Sequence, residues 1–258
     1  MDVIFNGNKN ANVKLVYTGR KQYEFNVIAK SDCFVSFVRI FISKEVITCF
    51  RNNLMSLYKL DIKSTELVSE GRKLRLGISV DDYGHLYYVF NIKNSDEIIN
   101  SEIKMEADLS YLPDIIEQLD NILNEKGERV LQEPEEKEKS AADVVISVMD
   151  ETENRNLQIN LKIHSYSFDI NRNLELIDLE EDIFLKKINS FFTTKEKMSI
   201  YPLGEFANFS LSWNNNTAWI NGSVSDYEYP YNSIDFNVPC NLTIMESWGQ
   251  ILYSEAMR

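Results

Sequence analysis

The sequence predicts an α+β protein built as two tandem copies of one module, each an antiparallel β-sheet with two helices packed on it and elements in the order βββαβββα. Three observations carry this expectation. Residues 124–142 contain Gly127, Pro134 and a charge run (Glu133, Glu135, Glu136, Lys137, Glu138, Lys139), with almost nothing to fill a core, as in a linker. The flanking segments, 1–123 and 143–258, are each long enough to bury a core of their own. Their apolar patterns also follow a similar succession. The hairpins align at an offset of 133 residues (Val80 with Trp213, Gly84 with Thr217), as do the closing helices (Leu109 with Leu242, Ile115 with Trp248). The first helices need an offset of 138 (Ile47 with Leu185, Phe50 with Ile188). A repeat of this length governs the whole architecture.

In the first segment, Asn12–Thr18, Tyr23–Lys30 and Phe34–Ile42 read as strands, with alternation clear in Phe25, Val27, Ala29 and in Phe34, Ser36, Val38, Ile40. A helix follows over Ser43–Lys59. Ile47, Phe50, Leu54 and Leu57 recur at three-and-four spacing, and Ser43 and Glu45 suit its positive N-terminus. Lys73–Val80 and Leu86–Lys93 form a hairpin around Asp81, Asp82, Tyr83 and Gly84. Ile103–Leu109 adds a strand. A second helix, capped by Ser110 with Pro113 in its first turn, carries the stripe Leu112, Ile115, Ile116, Leu119, Ile122.

Beyond the linker, Val144–Met149, Leu157–His164 and Phe168–Leu176 are strands, and Asp178 with Glu181 opens a helix in capping-box spacing. Phe206–Trp213 and Ala218–Val224 flank a turn at Asn214–Asn216, and Ile234–Leu242 is extended, with Pro239 marking an edge or bulge. A short helix carrying Ile244, Trp248 and Ile251 closes the chain.

The formal net charge is −13, and −9 of it falls on residues 143–258. Such a surface repels nucleic acid and anionic membrane, so neither is an expected partner. There is no signal-peptide pattern at the start and no apolar run of membrane-spanning length, and three cysteines (Cys33, Cys49, Cys240) cannot all pair; a cytoplasmic setting fits. Only two histidines occur, His85 and His164, without metal-ligand spacing. No phosphate-cradling glycine loop or nucleophile elbow appears. The expectation is a non-enzymatic chain with no cofactor and no metal.

Two stretches favour binding. Asp178, Glu180, Glu181 and Asp182 surround a helix start, where capping and the helix dipole also account for carboxylates. The loop Asp226, Tyr227, Glu228, Tyr229, Pro230, Tyr231 combines three tyrosines with two acids. Tyrosines supply large rigid contact area and acids steer a basic partner, although such a loop can also fold back on its own tyrosines. Tyr83, Tyr87 and Tyr88 cluster at the first hairpin, where core packing explains most of them.

The run from Leu74 to Phe90, with its Asp81-x-x-Gly84-His85 turn between two strands, resembles the WapI-type immunity proteins, as does the strand-to-helix run Ile103–Leu123. The resemblance covers residues 12–123. The second segment keeps the order of elements but has Asn214, Asn215, Asn216 and Thr217 in place of the Gly-His turn. Membership implies a small cytoplasmic protein that neutralises a polymorphic toxin, often a nuclease, by stoichiometric binding, and it implies no catalytic residue. A basic toxin domain covered by an acidic face is therefore the expected partner. The competing expectation is a scaffold or self-association module whose acids only confer solubility.

Overall fold

A computed structural model describes residues 1–7, 11–19, 23–94, 99–125, 141–151, 156–176, 181–202, 206–226, 232–246 and 249–255. The chain divides into two compact units. The first comprises residues 1–95, 100–136 and 228–232; the second comprises 96–99, 137–227 and 233–258. The linker stretch 126–140 lies outside the described residues.

In the first unit, strands β1 (Asp2–Asn6), β2 (Asn12–Tyr17), β3 (Glu24–Lys30) and β4 (Phe34–Phe41) pair antiparallel in chain order. Their alternation places Phe5, Leu15, Phe25, Val27 and Ile40 inside. Helix α1 (Lys44–Tyr58) starts where the Ser43 hydroxyl oxygen accepts the Val46 N–H at 3.3 Å. It buries Ile47, Phe50, Leu54 and Leu57, the stripe that the three-and-four spacing requires. A second ladder runs β5 (Ser64–Val68), β6 (Leu74–Val80), β7 (His85–Asn94), with β8 (Ile99–Asp108) beside β7. Phe5 on β1 meets Tyr88 and Phe90 on β7 edge-on, at centroid distances of 5.7 and 5.2 Å, the geometry ring quadrupoles favour.

Helix α2 (Leu112–Leu123) buries Leu112, Ile115, Ile116, Leu119 and Ile122. Its Gln118 accepts the Ile4 N–H at 2.8 Å, which occupies a backbone donor of β1 that would otherwise invite a foreign strand. Arg51 on α1 grips Asp120 on α2 through two bonds of 2.8 and 2.7 Å.

The second unit opens with β9 (Ala142–Glu151), β10 (Leu157–His164) and β11 (Phe168–Leu176), all antiparallel. Helix α3 (Glu181–Thr194) buries Phe184, Ile188 and Phe191. Strands β12 (Met198–Ile200), β13 (Ala207–Asn214) and β14 (Thr217–Ser225) follow, and β13 turns into β14 through Asn215 and Asn216, both at positive φ, as a two-residue hairpin demands. The long strand β15 (Ser233–Glu246) pairs with β14 as far as Pro239, then parallel with β9 from Cys240. The proline therefore stands at the change of partner, where a ladder donor is dispensable.

The expected architecture of two α+β copies is corrected on several counts. Strands make up 58% and helices 22% of the described chain, so it is mostly β, with sixteen strands against three α-helices among the described residues. Four strands, not three, precede α1, and β5 adds one where none was expected. The strands are not all antiparallel, because β9 and β15 run parallel. The second segment has no closing helix at Ile244 and Ile251: β15 continues through Ile244, Gly249 turns at φ 82°, and β16 (Ile251–Glu255) pairs back onto β15. Spacings of four and three between apolar residues, which suggested a helix, come here from the two arms of a hairpin. Trp248, the third residue of that pattern, lies outside the described residues.

Candidate functional site

The chemistry that stands out in the first unit is at the tip of the β6–β7 hairpin. Asp81 follows β6 directly, and its carboxylate organises the turn. Its Oδ1 accepts the N–H groups of Tyr83 and His85, both at 2.9 Å. Its Oδ2 lies 2.9 Å from His85 Nδ1 and accepts the Tyr87 hydroxyl at 3.3 Å. Backbone bonds close the loop, with Asp81 N–H donating to the His85 carbonyl and Gly84 N–H to the Asp81 carbonyl. Gly84 sits at φ 87°, which a side chain would resist. Desolvation acts to raise the Asp81 pKa, but the bonds from His85 and Tyr83 outweigh it and hold it at about 2, so the charged form that organises the turn is the resident one.

The start of α2 is tied to this tip. Leu109 N–H donates to the Gly84 carbonyl at 3.2 Å. Asp108 accepts the Ser110 N–H at 2.8 Å, and that bond, reinforced by His85 nearby, lowers its pKa. Asp82 pairs with Lys63 at 2.8 Å, both well exposed. Above this braced frame Tyr83 is 88% exposed, and Tyr111 on the adjoining turn is 44% exposed.

The three hairpin tyrosines thus separate. Tyr88 is 1% exposed and burial raises its pKa, Tyr87 is half-buried, and only Tyr83 is displayed. Core packing, the explanation expected for most of the cluster, holds for Tyr88 and misses Tyr83. The signal was available: alternation puts Tyr88 with Leu86 and Phe90, and Tyr83 lies in the turn outside any strand face.

Of the residues singled out in the second segment, Asp178, Glu180, Tyr227, Glu228, Tyr229 and Tyr231 lie outside the described residues. Glu181 is half-buried and Asp182 exposed in the first turn of α3, and lysines follow on that helix at Lys186 and Lys187. Asp226 is buried, at 6% exposure, rather than displayed. His164 forms a close pair with Asp169 across the β10–β11 ladder.

A histidine held by a carboxylate is half of a nucleophile-activating arrangement. Catalysis also needs a concave site that excludes water, whereas the side chain of His85 is 61% exposed. Among the described residues no group of three or more His, Cys, Asp or Glu is placed to hold a metal ion. Cys33 and Cys240 are buried and Cys49 exposed, all as free thiols; burial pushes the Cys240 thiol up to about 12. No described helix is long and apolar enough to cross a membrane. No protein family model, curated protein or solved structure matches this chain.

Proposed function

We propose that this chain is a cytoplasmic binding protein of the immunity type, which neutralises a basic toxin domain by stoichiometric binding and without chemistry of its own. The observation that carries the reading is Tyr83, 88% exposed on a turn that Asp81 holds through four hydrogen bonds. An aromatic side chain displayed on a pre-ordered frame is what a binding hot spot requires, because little freedom remains to be lost on association. Asp82 and Asp108 lie beside it, on a chain of net charge −13, and long-range attraction accelerates encounter with a basic partner. The same charge disfavours nucleic acid and anionic membrane as partners.

The test is protection. Cells expressing the toxic domain encoded beside this chain are expected to survive when the chain is co-expressed, and the two proteins to form a one-to-one complex whose affinity falls with added salt. Tyr83→Ala should weaken that complex by about 30-fold, the hot-spot scale of roughly 2 kcal/mol. Charge reversal at Asp82 should slow association, and reversal at Asp182 on α3 tests the acidic helix start in the second unit. Absence of protection and of any complex would refute the function. Full affinity in Tyr83→Ala would move the contact away from the tip.

A further inference from the structure

On the solvent side of the β5–β6–β7 ladder lies a cleft of about 540 Å³ lined by Glu66, Val68, Arg72, Arg75, Asn91 and Lys93. Register explains why residues so far apart in sequence share it. Val68, Arg75 and Asn91 are direct cross-strand neighbours, and Glu66 stands opposite Gly77. Gly77 faces the same way as Arg75, two residues away, and a Cβ there would meet nothing within 4 Å. A glycine inside a strand often leaves room for close approach, and here it leaves bare backbone beside the arginine.

The cation at the end of the cleft is held by an unusual turn. Between β5 and β6 the chain passes through Gly71 and Arg72, at φ 67° and 55°. Ser69 fixes this reversal: its N–H donates to the Leu74 carbonyl, its hydroxyl oxygen accepts the Leu74 N–H at 2.9 Å, and its carbonyl accepts the Arg72 N–H at 3.0 Å. Left-handed backbone is uncommon in a residue with a long side chain, and such residues gather at functional positions. Lys93 is held in place by its N–H bond to the Lys73 carbonyl at 2.8 Å.

Three cations therefore face one carboxylate. Glu66 is already paired with Arg75, and among the described residues no ion pair engages Arg72 or Lys93. That leaves the cleft with a local surplus of two positive charges. It matches a dianion. Guanidinium forks grip phosphate in two-point fashion and a lysine supplies a point charge, while the Asn91 amide offers a neutral donor. The volume falls within the range of small-ligand sites. A polyanion such as nucleic acid would meet the acidic remainder of the surface, so a small ligand is favoured.

We propose that this cleft binds the dianionic phosphate group of a small phosphate monoester. The proposal is independent of the immunity reading, because it concerns the end of the β6–β7 hairpin away from the turn and an acidic rather than a basic ligand. The full chain, labelled with nitrogen-15, is titrated with inorganic phosphate, adenosine monophosphate and adenosine. Saturable shifts are expected at the amides of Arg72–Arg75 and Asn91–Lys93 with the two phosphates and not with adenosine, the monophosphate binding at least as tightly as phosphate. The double variant Arg72→Ala/Lys93→Ala, at two exposed positions, should bind at least about tenfold more weakly, the scale of a lost charge-assisted bond. Lys186→Ala/Lys187→Ala on α3 should bind unchanged. No saturable shift into the millimolar range, a response to adenosine equal to that of its monophosphate, or undiminished affinity in Arg72→Ala/Lys93→Ala would overturn the proposal.

Discussion

Replacing Gly222 by alanine should separate the two units experimentally. Gly222 lies on β14 opposite Phe209 of β13. A Cβ there would stand 2.2 Å from the Asn208 carbonyl oxygen, 2.7 Å from the Phe209 Cβ and 2.8 Å from its Cα. Ordinary contact begins near 3.4 Å, and two of these three atoms are backbone, so no side-chain rotation relieves the clash and the two strands must part by about an ångström. Overpacking of this kind costs about 1–3 kcal/mol. The smaller freedom of the unfolded alanine chain returns up to about 1 kcal/mol. Because backbone must move, the upper part of that range applies, and a net loss of about 2 kcal/mol corresponds to a fall in Tm of roughly 8 °C for a unit of this size. The assay is built into the sequence, because tryptophan occurs only at positions 213, 219 and 248, all within the second unit. Tryptophan fluorescence during urea or thermal unfolding therefore reports that unit alone. Gly77→Ala in the first unit, where a Cβ meets nothing within 4 Å, is the neutral control, followed by tyrosine circular dichroism. An unchanged or raised midpoint in Gly222→Ala would refute the close approach of β13 and β14. If the expected loss is found, the same variant tests whether the Tyr83 tip and the Arg72 cleft still act when the second unit is weakened.

Other consequences can be measured directly. The folded pKa of Asp81, about 2, lies below the ordinary carboxylate value of roughly 3.9. Its stabilisation of the turn is therefore complete above about pH 4 and disappears as pH falls towards 2; the Tyr83 and His85 amide shifts should move across that window, and Asp81→Asn should abolish the transition. Leu54→Ala empties a site with 0% exposure in α1 and should cost the first unit about 2–5 kcal/mol. Arg51→Ala, one turn earlier, breaks the pair with Asp120, but both partners are partly exposed. Screening limits that loss to under about 1 kcal/mol, and hydrogen exchange on α1 distinguishes the two variants.

The core was legible wherever burial imposes a period. All five residues of the α2 stripe are buried, as are the four of α1. Strands β10 and β11 occupy the residues that alternation assigned them. The pattern failed where burial is slight or where two periods coincide. Strand β5 has one buried residue, Leu67, so no alternation marks it, and β1 is only five residues long. At the C-terminal end, Ile244 and Ile251 belong to opposite arms of a hairpin, yet their spacing also fits one face of a helix. That coincidence supplied the closing helix on which the tandem-copy reading partly rested.

The candidate sites were hidden for a related reason. Hydrophobic periodicity records what a side chain contributes to the core, and Tyr83, Arg72 and Lys93 contribute nothing to it. Tyr83 sits in a turn, where its 88% exposure follows from Asp81 drawing the backbone N–H groups inward. Arg72 and Lys93 are separated by 21 positions and share a cleft only because β6 and β7 pair in the register that aligns Arg75 with Asn91. A slip of one residue would send Arg75 to the opposite face, where Leu74 and Leu76 now lie at 0% exposure. The apolar alternation of Leu74, Leu76, Ile78 and Val80 thus holds the cations together without naming them, since burying those four residues is what forces Arg75 outward beside Glu66 and Asn91.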